Sequence, residues 1–280
     1  MSIDVTKKIK DHGIRVSRFE CRRDGLKIQG TEYRKDAKDN KARPVAVVCH
    51  QFGKTEEDVK QYAVELASWG YAAFTFDFCG GSASSKSDGK TAEMSLLTEL
   101  KDLEAVLNFA EGLPYCTPEG TFLMGCCQGG LAAALFAGKN PDRIKKLCLY
   151  YPTFSLPLDA KKGNLFGTSF DADQLPETFL CGDMELGKGY VTDILGLEPY
   201  KEMLPYAGHV FLLHGTGDEI AHPAYTETAV MTYWKDRENG NKGETFGQVL
   251  YDLIDNGQHG FTPEQDEIAL DLLQEFILTV

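Results

Sequence analysis

Hydrophobic positions along this chain alternate between two periods. Short apolar runs at residues 45–49, 71–78, 121–124, 146–151, 209–214 and 248–254 have the length and continuity of strands covered on both faces. Helix-patterned stretches lie between them. Residues 56–69 set Val59, Tyr62, Ala63, Leu66 and Trp69 on one face and stop at Gly70, and residues 94–113 form a longer amphipathic stretch. An Ala/Leu-rich run starts at Leu131, and residues 223–235 and 263–277 close the series. This alternation predicts an α/β fold with a mainly parallel central sheet and helices on both faces. The opening differs, because residues 14–22 and 26–34 read as two strands joined at Asp24-Gly25, a dipeptide suited to a type I′ hairpin. A charged loop, residues 35–43, separates this antiparallel start from the first buried strand. The rhythm breaks once, at residues 152–208, where glycines, prolines and aromatics are scattered without a strong strand. That segment reads as an insertion in one domain spanning residues 1–280.

Composition narrows the partners. The 280 residues carry a formal charge of −13, which argues against nucleic acid or an anionic membrane as the main partner. The first residues, Met-Ser-Ile-Asp-Val-Thr-Lys-Lys, lack the apolar stretch of a signal peptide, and no run approaches a membrane span. A cytoplasmic location is the expectation. The eight cysteines then read as reduced thiols. None has zinc-ligand spacing, so neither a metal nor a cofactor is expected. Nothing in the sequence specifies an oligomeric state.

Open α/β sheets carry their sites at the carboxyl ends of strands. The residues that follow the strands here are His50-Gln51-Phe52, Cys79-Gly80-Gly81, Cys127-Gln128, Asp218 and His259. Cys127 lies in a turn of small residues between strand and helix, with Gly125 and Gly129 at minus two and plus two. Taken singly, each candidate has a plain alternative: Cys127 a small buried hydrophobe, Asp218 a helix cap, His259 a solvated loop residue. Their order, nucleophile then acid then histidine, makes coincidence improbable. Cys126 points away from the turn and belongs to the core, whereas His222 could line the site or cap the helix beginning near Pro223.

Five stretches together carry a family resemblance: Val47-Val48-Cys49-His50-Gln51-Phe52-Gly53, Phe76-Asp77-Phe78-Cys79-Gly80-Gly81-Ser82, Gly125-Cys126-Cys127-Gln128-Gly129, His214-Gly215-Thr216-Gly217-Asp218 and Gly257-Gln258-His259-Gly260-Phe261. The chain resembles the α/β-hydrolase superfamily throughout its length. It is most similar to the cinnamoyl or feruloyl esterase-like branch, with dienelactone hydrolases as the relatives that use cysteine. The resemblance implies a catalytic triad of Cys127, Asp218 and His259, an oxyanion hole from the backbone N–H groups of Phe52 and Gln128, and a lid at about residues 152–208. It also makes His50, Phe166 and Tyr190 the expected substrate contacts, while Phe154, Phe170 and Phe179 either stack on an aromatic acyl group or cover the core.

Two residues depart from the family pattern. Gln51 stands where the family has the glycine of His-Gly-Phe, and Cys127 stands where it has serine. A thiolate attacks readily but also leaves readily, so acyl groups with good leaving groups (enol lactones, aryl esters, thioesters) suit it best. Dienelactone hydrolases clamp an anionic substrate with arginines, and no arginine occupies the corresponding strand ends. The expected function is hydrolysis of a small carboxylic ester, lactone or thioester through an acyl-enzyme. Acyl transfer to an alcohol or amine, and a non-catalytic ligand-binding role, are the alternatives. Selective reaction of Cys127 with an acyl donor separates the last from the first two.

Overall fold

Asp24 and Gly25 both take positive φ, 51° and 87°, as a type I′ turn requires, and the chain accordingly opens as a tight antiparallel hairpin. The computed structural model describes residues 4–36, 41–240 and 246–280. Residues 37–40 of the charged loop lie outside them. Helix α1 (Val5–Asp11), which the sequence pattern does not announce, precedes the hairpin strands β1 (Ile14–Arg23) and β2 (Leu26–Lys35). The alternating core then runs β3 (Arg43–Cys49), α2 (Lys60–Ser68), β4 (Ala72–Phe76), α3 (Leu96–Glu111), β5 (Cys116–Cys126), α4 (Gln128–Lys139) and β6 (Lys146–Tyr150). Residues 152–208 hold α5 (Leu156–Lys161), the hairpin β7 (Asn164–Leu165) and β8 (Thr168–Ser169), the hairpin β9 (Thr178–Cys181) and β10 (Met184–Gly187), α6 (Lys188–Leu195) and α7 (Pro199–Glu202). The chain closes with β11 (His209–Gly215), α8 (Pro223–Asn239), β12 (Val249–Ile254) and α9 (Pro263–Thr279).

Eight strands form one sheet in the order β1-β2-β4-β3-β5-β6-β11-β12, parallel from β4 to β12 and antiparallel at the opening hairpin. Strand side chains point alternately to its two faces. Val45, Val47 and Cys49 join the layer containing α3, α4 and α8, while Ala46 and Val48 join that of α1, α2 and α9. Both faces are covered, which is why the central strands are apolar without alternation. Helix α4 is buried from Gln128 to Gly138, so its Ala/Leu composition reflects burial all round rather than one apolar face.

The order of strands also fixes where a site can form. After β3 the chain moves to one side to make β4 and then returns across β3 to make β5. The connections therefore diverge at the carboxyl ends of β3 and β5, leaving a crevice there. Cys49 and Gly125 pair at that end, so the loops beginning at His50 and Cys127 start side by side. Strand β5 is longer than its apolar run, and α4 begins at Gln128 rather than at Leu131, directly after the turn. Among the described residues no helix is long and apolar enough to cross a membrane.

Candidate active site

Cys127 has φ 55° and ψ −122°, a conformation that costs a non-glycine residue on the order of 1–3 kcal/mol. Its surroundings hold it there. Its N–H donates to the Tyr150 carbonyl at 3.0 Å, and its own carbonyl accepts from Gly130, Leu131 and Thr153 at 3.0, 3.2 and 3.3 Å. The flanking glycines allow that turn to fit. A Cβ on Gly125 would lie 2.1 Å from the Gly129 carbonyl oxygen, and one on Gly129 would lie 2.3 Å from the His50 oxygen. These are backbone contacts with no flexible end to move aside.

Two amides in the segments beside this turn are unengaged among the described residues. Gln128 is the first residue of α4, so its N–H has no acceptor inside the helix. In the loop after β3, Gly53 donates to Gly81 and Lys54 to Gln51, while the Phe52 amide has no partner among the described residues. Gln51, which stands where the family pattern has glycine, ties this loop down: its Nε2 donates to the Tyr151 hydroxyl at 2.6 Å. Tyr151 takes φ 37°, and its ring packs edge-on against His259 at 5.2 Å and Phe261 at 4.8 Å. A residue larger than glycine thus connects the loop after β3 to the tyrosine beside His259. Tyr151 directly follows β6 and is itself a strand-end position, hidden in the sequence by the apolar run 146–151.

Asp218 is buried and accepts on both oxygens. Oδ1 accepts from the Ile220 and Ala221 amides, each at 2.9 Å. Oδ2 lies 2.7 Å from His259 Nδ1 and 3.0 Å from His214 Nε2. Burial alone would raise this carboxyl's pKa, but the hydrogen bonds from His214 and His259, the His259 charge and the Ala221 amide hold it well below the usual carboxylate range. His214 Nε2 also faces the Ala221 carbonyl at 2.7 Å; surrounded by acceptors, that nitrogen carries the proton. His214 was not singled out in the sequence, although its i, i+4 spacing to Asp218 at a strand end was a readable signal.

The loop holding His259 is pinned to that of Asp218 by the Gly217 amide, which donates to the Gly257 carbonyl at 2.9 Å. His259 Nε2 has no hydrogen-bond partner among the described residues. Burial by itself would lower the imidazole pKa; the nearby Cys127 sulfur and the bonded Asp218 carboxylate override it and raise the value to about 10. The three residues Cys127, Asp218 and His259 are therefore together, in an environment that favours a charged imidazole.

The remaining expected contacts are distributed otherwise. His50 is buried, with Nε2 accepting from the Phe78 amide at 3.1 Å and Nδ1 at 2.7 Å from the Gln51 carbonyl. Both nitrogens are engaged within the protein and burial keeps the ring neutral, so His50 holds the loop rather than offering a group to a substrate. Tyr190 is buried too, its hydroxyl donating to Gln128 Oε1, which places it behind the turn as a brace. Phe166 remains half-buried and stacks on Phe52 with ring centroids 4.2 Å apart. His222 caps α8, accepting from the Ala224 amide at 3.2 Å. Beneath the turn lies Glu99, which the sequence did not indicate: burial, opposed by the facing Gln128 amide and aided by Asp102, pushes its carboxyl up to about 8. Among the described residues no group of three His, Cys, Asp or Glu side chains is arranged to hold a metal ion.

Known proteins share parts of this sequence and its fold. Residues 29–165 match the model of the dienelactone hydrolase family. A putative carboxymethylenebutenolidase from Aquifex aeolicus (strain VF5) is 26% identical over 141 residues, 47% of this chain and 59% of that protein, so the match spans less than two thirds of the relative. Est1E from Butyrivibrio proteoclasticus, with ferulic acid bound, superposes with a TM-score of 0.81 at 23% identity, over 93% of this chain and 98% of that one. The Pyrococcus furiosus esterase Pf2001 superposes with a TM-score of 0.65 at 16% identity, over 96% and 94%. At these identities the structural likeness establishes a shared α/β-hydrolase fold.

Two stability effects are expected from this arrangement. Gly125→Ala forces backbone apart at the turn and should destabilise by about 1–3 kcal/mol, read as a lowered urea midpoint. Glu99→Gln should act in the opposite sense. An unfolded glutamate loses its proton near the ordinary value of about 4.3, while the folded one keeps it to about 8, so stability falls as pH rises between them. The glutamine variant should melt about 2 °C or more above the parent at pH 8 and lose that advantage by pH 5; parallel melting curves test this.

Proposed function

We propose that this α/β hydrolase cleaves a small carboxylic ester, lactone or thioester through Cys127, His259 and Asp218, by way of an acyl-enzyme. The observation that carries the reading is His259, with one nitrogen on a buried carboxylate and the other unpartnered near Cys127. The imidazole's raised pKa supports a resting His259 that holds a proton for the leaving group, and the attacking form of Cys127 is its thiolate. In this mechanism sulfur adds to the carbonyl carbon, and the amides of Phe52 and Gln128 receive the oxyanion. Such donors are worth about 2.7–4 kcal/mol each in comparable sites. Collapse expels the alcohol or thiol, which takes its proton from His259. Water, deprotonated by His259, then attacks the acyl carbon, and collapse releases the acid and expels the sulfur as thiolate beside the protonated imidazole. Asp218 fixes the imidazole tautomer throughout, and His214 positions Asp218.

The family match and the esterase neighbours support an ester or lactone as substrate. The segment 152–208 acts as a lid in this reading, reaching the oxyanion loop through Phe166 on Phe52. An intact acid and histidine speak against a decayed site used only for binding.

Labelling of thiols tests the nucleophile. Burial first, then neighbouring carboxylates, pushes the half-buried thiols Cys21 and Cys116 up to about 12, which leaves them poorly reactive. Brief iodoacetamide treatment followed by peptide mapping should modify Cys127 first, and Cys127→Ala should lower kcat on an aryl ester by roughly 10³-fold or more. Equal labelling of Cys21, with undiminished activity of the alanine variant, would remove Cys127 from the mechanism.

The imidazole supplies a second test. Because its pKa is raised, the proton needed by the leaving group is present below about pH 10 and lost above it. The basic limb of kcat/KM should therefore fall near pH 10 rather than near 6.5. Asp218→Asn should move that limb downward, since the carboxylate is one of the groups that raise the value. A limb near 7 in the parent protein would instead identify a neutral histidine acting as base on an uncharged thiol.

A further inference from the structure

Beside the candidate triad lies a cavity of about 280 Å³, near the small end of ligand pockets, which run about 300–1,000 Å³. Its walls come from the elements that shape the site. Thr153 donates its amide to the Cys127 carbonyl, Phe166 stacks on Phe52, and Glu219 and Ile220 directly follow Asp218, whose Oδ1 accepts from the Ile220 amide. The cavity also contains Asp159 and Asn164, and neither a lysine nor an arginine lines it.

Two of its polar groups are carboxylates, set beside the hydroxyls of Thr153 and Ser155 and the Asn164 amide. Asp159 and Glu219 have no ion-pair partner among the described residues, and ionised carboxylates only accept hydrogen bonds. Asn164 already uses Oδ1 to accept from the Gly167 amide at 3.2 Å. Thr153 is 2% exposed and its Oγ1 has no hydrogen-bond partner among the described residues, an orphaned buried hydroxyl in the wall of a cavity. Buried polar atoms are ordinarily satisfied, and a group entering the cavity would supply the partner that this hydroxyl lacks. A molecule of formal charge −13 adds a long-range field of the same sign as the two carboxylates.

We propose that this cavity is the specificity subsite of the reaction assigned above to Cys127, on which this inference rests, and that it takes a hydroxyl- or ammonium-bearing group and rejects a carboxylate. The entering group donates to Asp159 and Glu219 and satisfies Thr153 Oγ1. A carboxylate in the same place meets two like charges with no cation to offset them. Substrates of this site are thus esters or thioesters that carry hydrogen-bond donors, and acidic lactones are excluded by charge.

The test uses three matched aryl esters whose acyl chains end in hydroxyl, trimethylammonium or carboxylate, with kcat/KM measured for the full chain at low ionic strength and in 0.5 M salt. The hydroxyl and ammonium esters should exceed the carboxylate ester by about tenfold or more, and salt should compress the difference between the two charged esters. The isosteric double variant Asp159→Asn with Glu219→Gln, its folding checked by melting temperature, should bring the three to within about twofold. Equal turnover of the carboxylate and hydroxyl esters by the parent, or an unchanged ratio in the double variant, would overturn the subsite. Calorimetric binding of the same three esters to Cys127→Ala separates the two levels of the argument. If the parent turns over none of them, the hydrolase reading fails, while the order of affinities still decides the subsite; equal affinities overturn it.

Discussion

The close approach of helix α4 to the end of strand β3 is the constraint on which the rest of this molecule depends. Gly129 rests against the His50 carbonyl so closely that a single methyl group would occupy the same space, and Gly125 meets Gly129 in the same way. With side chains at either position the helix could not start where the strand ends. Cys127 would then neither be driven to φ 55° nor be lifted toward the crevice. The strain is local, and its cost is met by the four backbone hydrogen bonds around the turn and by a helix buried along nearly its whole length.

The same crowding organises the electrostatics. Asp218 is buried, and a buried carboxylate stays ionised only when its lone pairs are filled. Asp218 has four donors: two backbone amides and two histidines. That satisfaction keeps it ionised, and an ionised Asp218 is one reason why His259 retains a proton far above its ordinary range. Glu99 illustrates the alternative outcome. It is equally buried but lacks a cation or a comparable set of donors, and it therefore stays protonated at neutral pH. Two carboxyls on the two sides of one turn are thus held in opposite charge states by their surroundings alone.

Gln51 shows how a departure from a family pattern can be structural compensation. In place of a glycine with no side chain, the chain has an amide that reaches Tyr151, and Tyr151 in turn packs against His259. The loop that presents the Phe52 amide and the loop that presents His259 are thereby joined through a single tyrosine with positive φ. His50 performs the matching task on the other side, tying the same loop to the residues after β4.

The sequence by itself determined the α/β rhythm, the type I′ hairpin at Asp24-Gly25, and the chain order of Cys127, Asp218 and His259, because these depend on local period, on backbone freedom and on position after a strand. Local pattern could not reach the partners of those residues. That His50 and Tyr190 face inward as braces, that Gln51 meets Tyr151, and that His214 shares an oxygen of Asp218 with His259 are contacts between segments up to 100 residues apart. The segment 152–208 was opaque for a related reason. Its strands are two to four residues long, too short for a period to register, and they pack on other segments, β7 on α5 and β10 on residues 91–93. The acidic cavity against Thr153 is likewise a product of tertiary structure, since Asp159 and Glu219 are 60 positions apart and only the fold sets them in one wall.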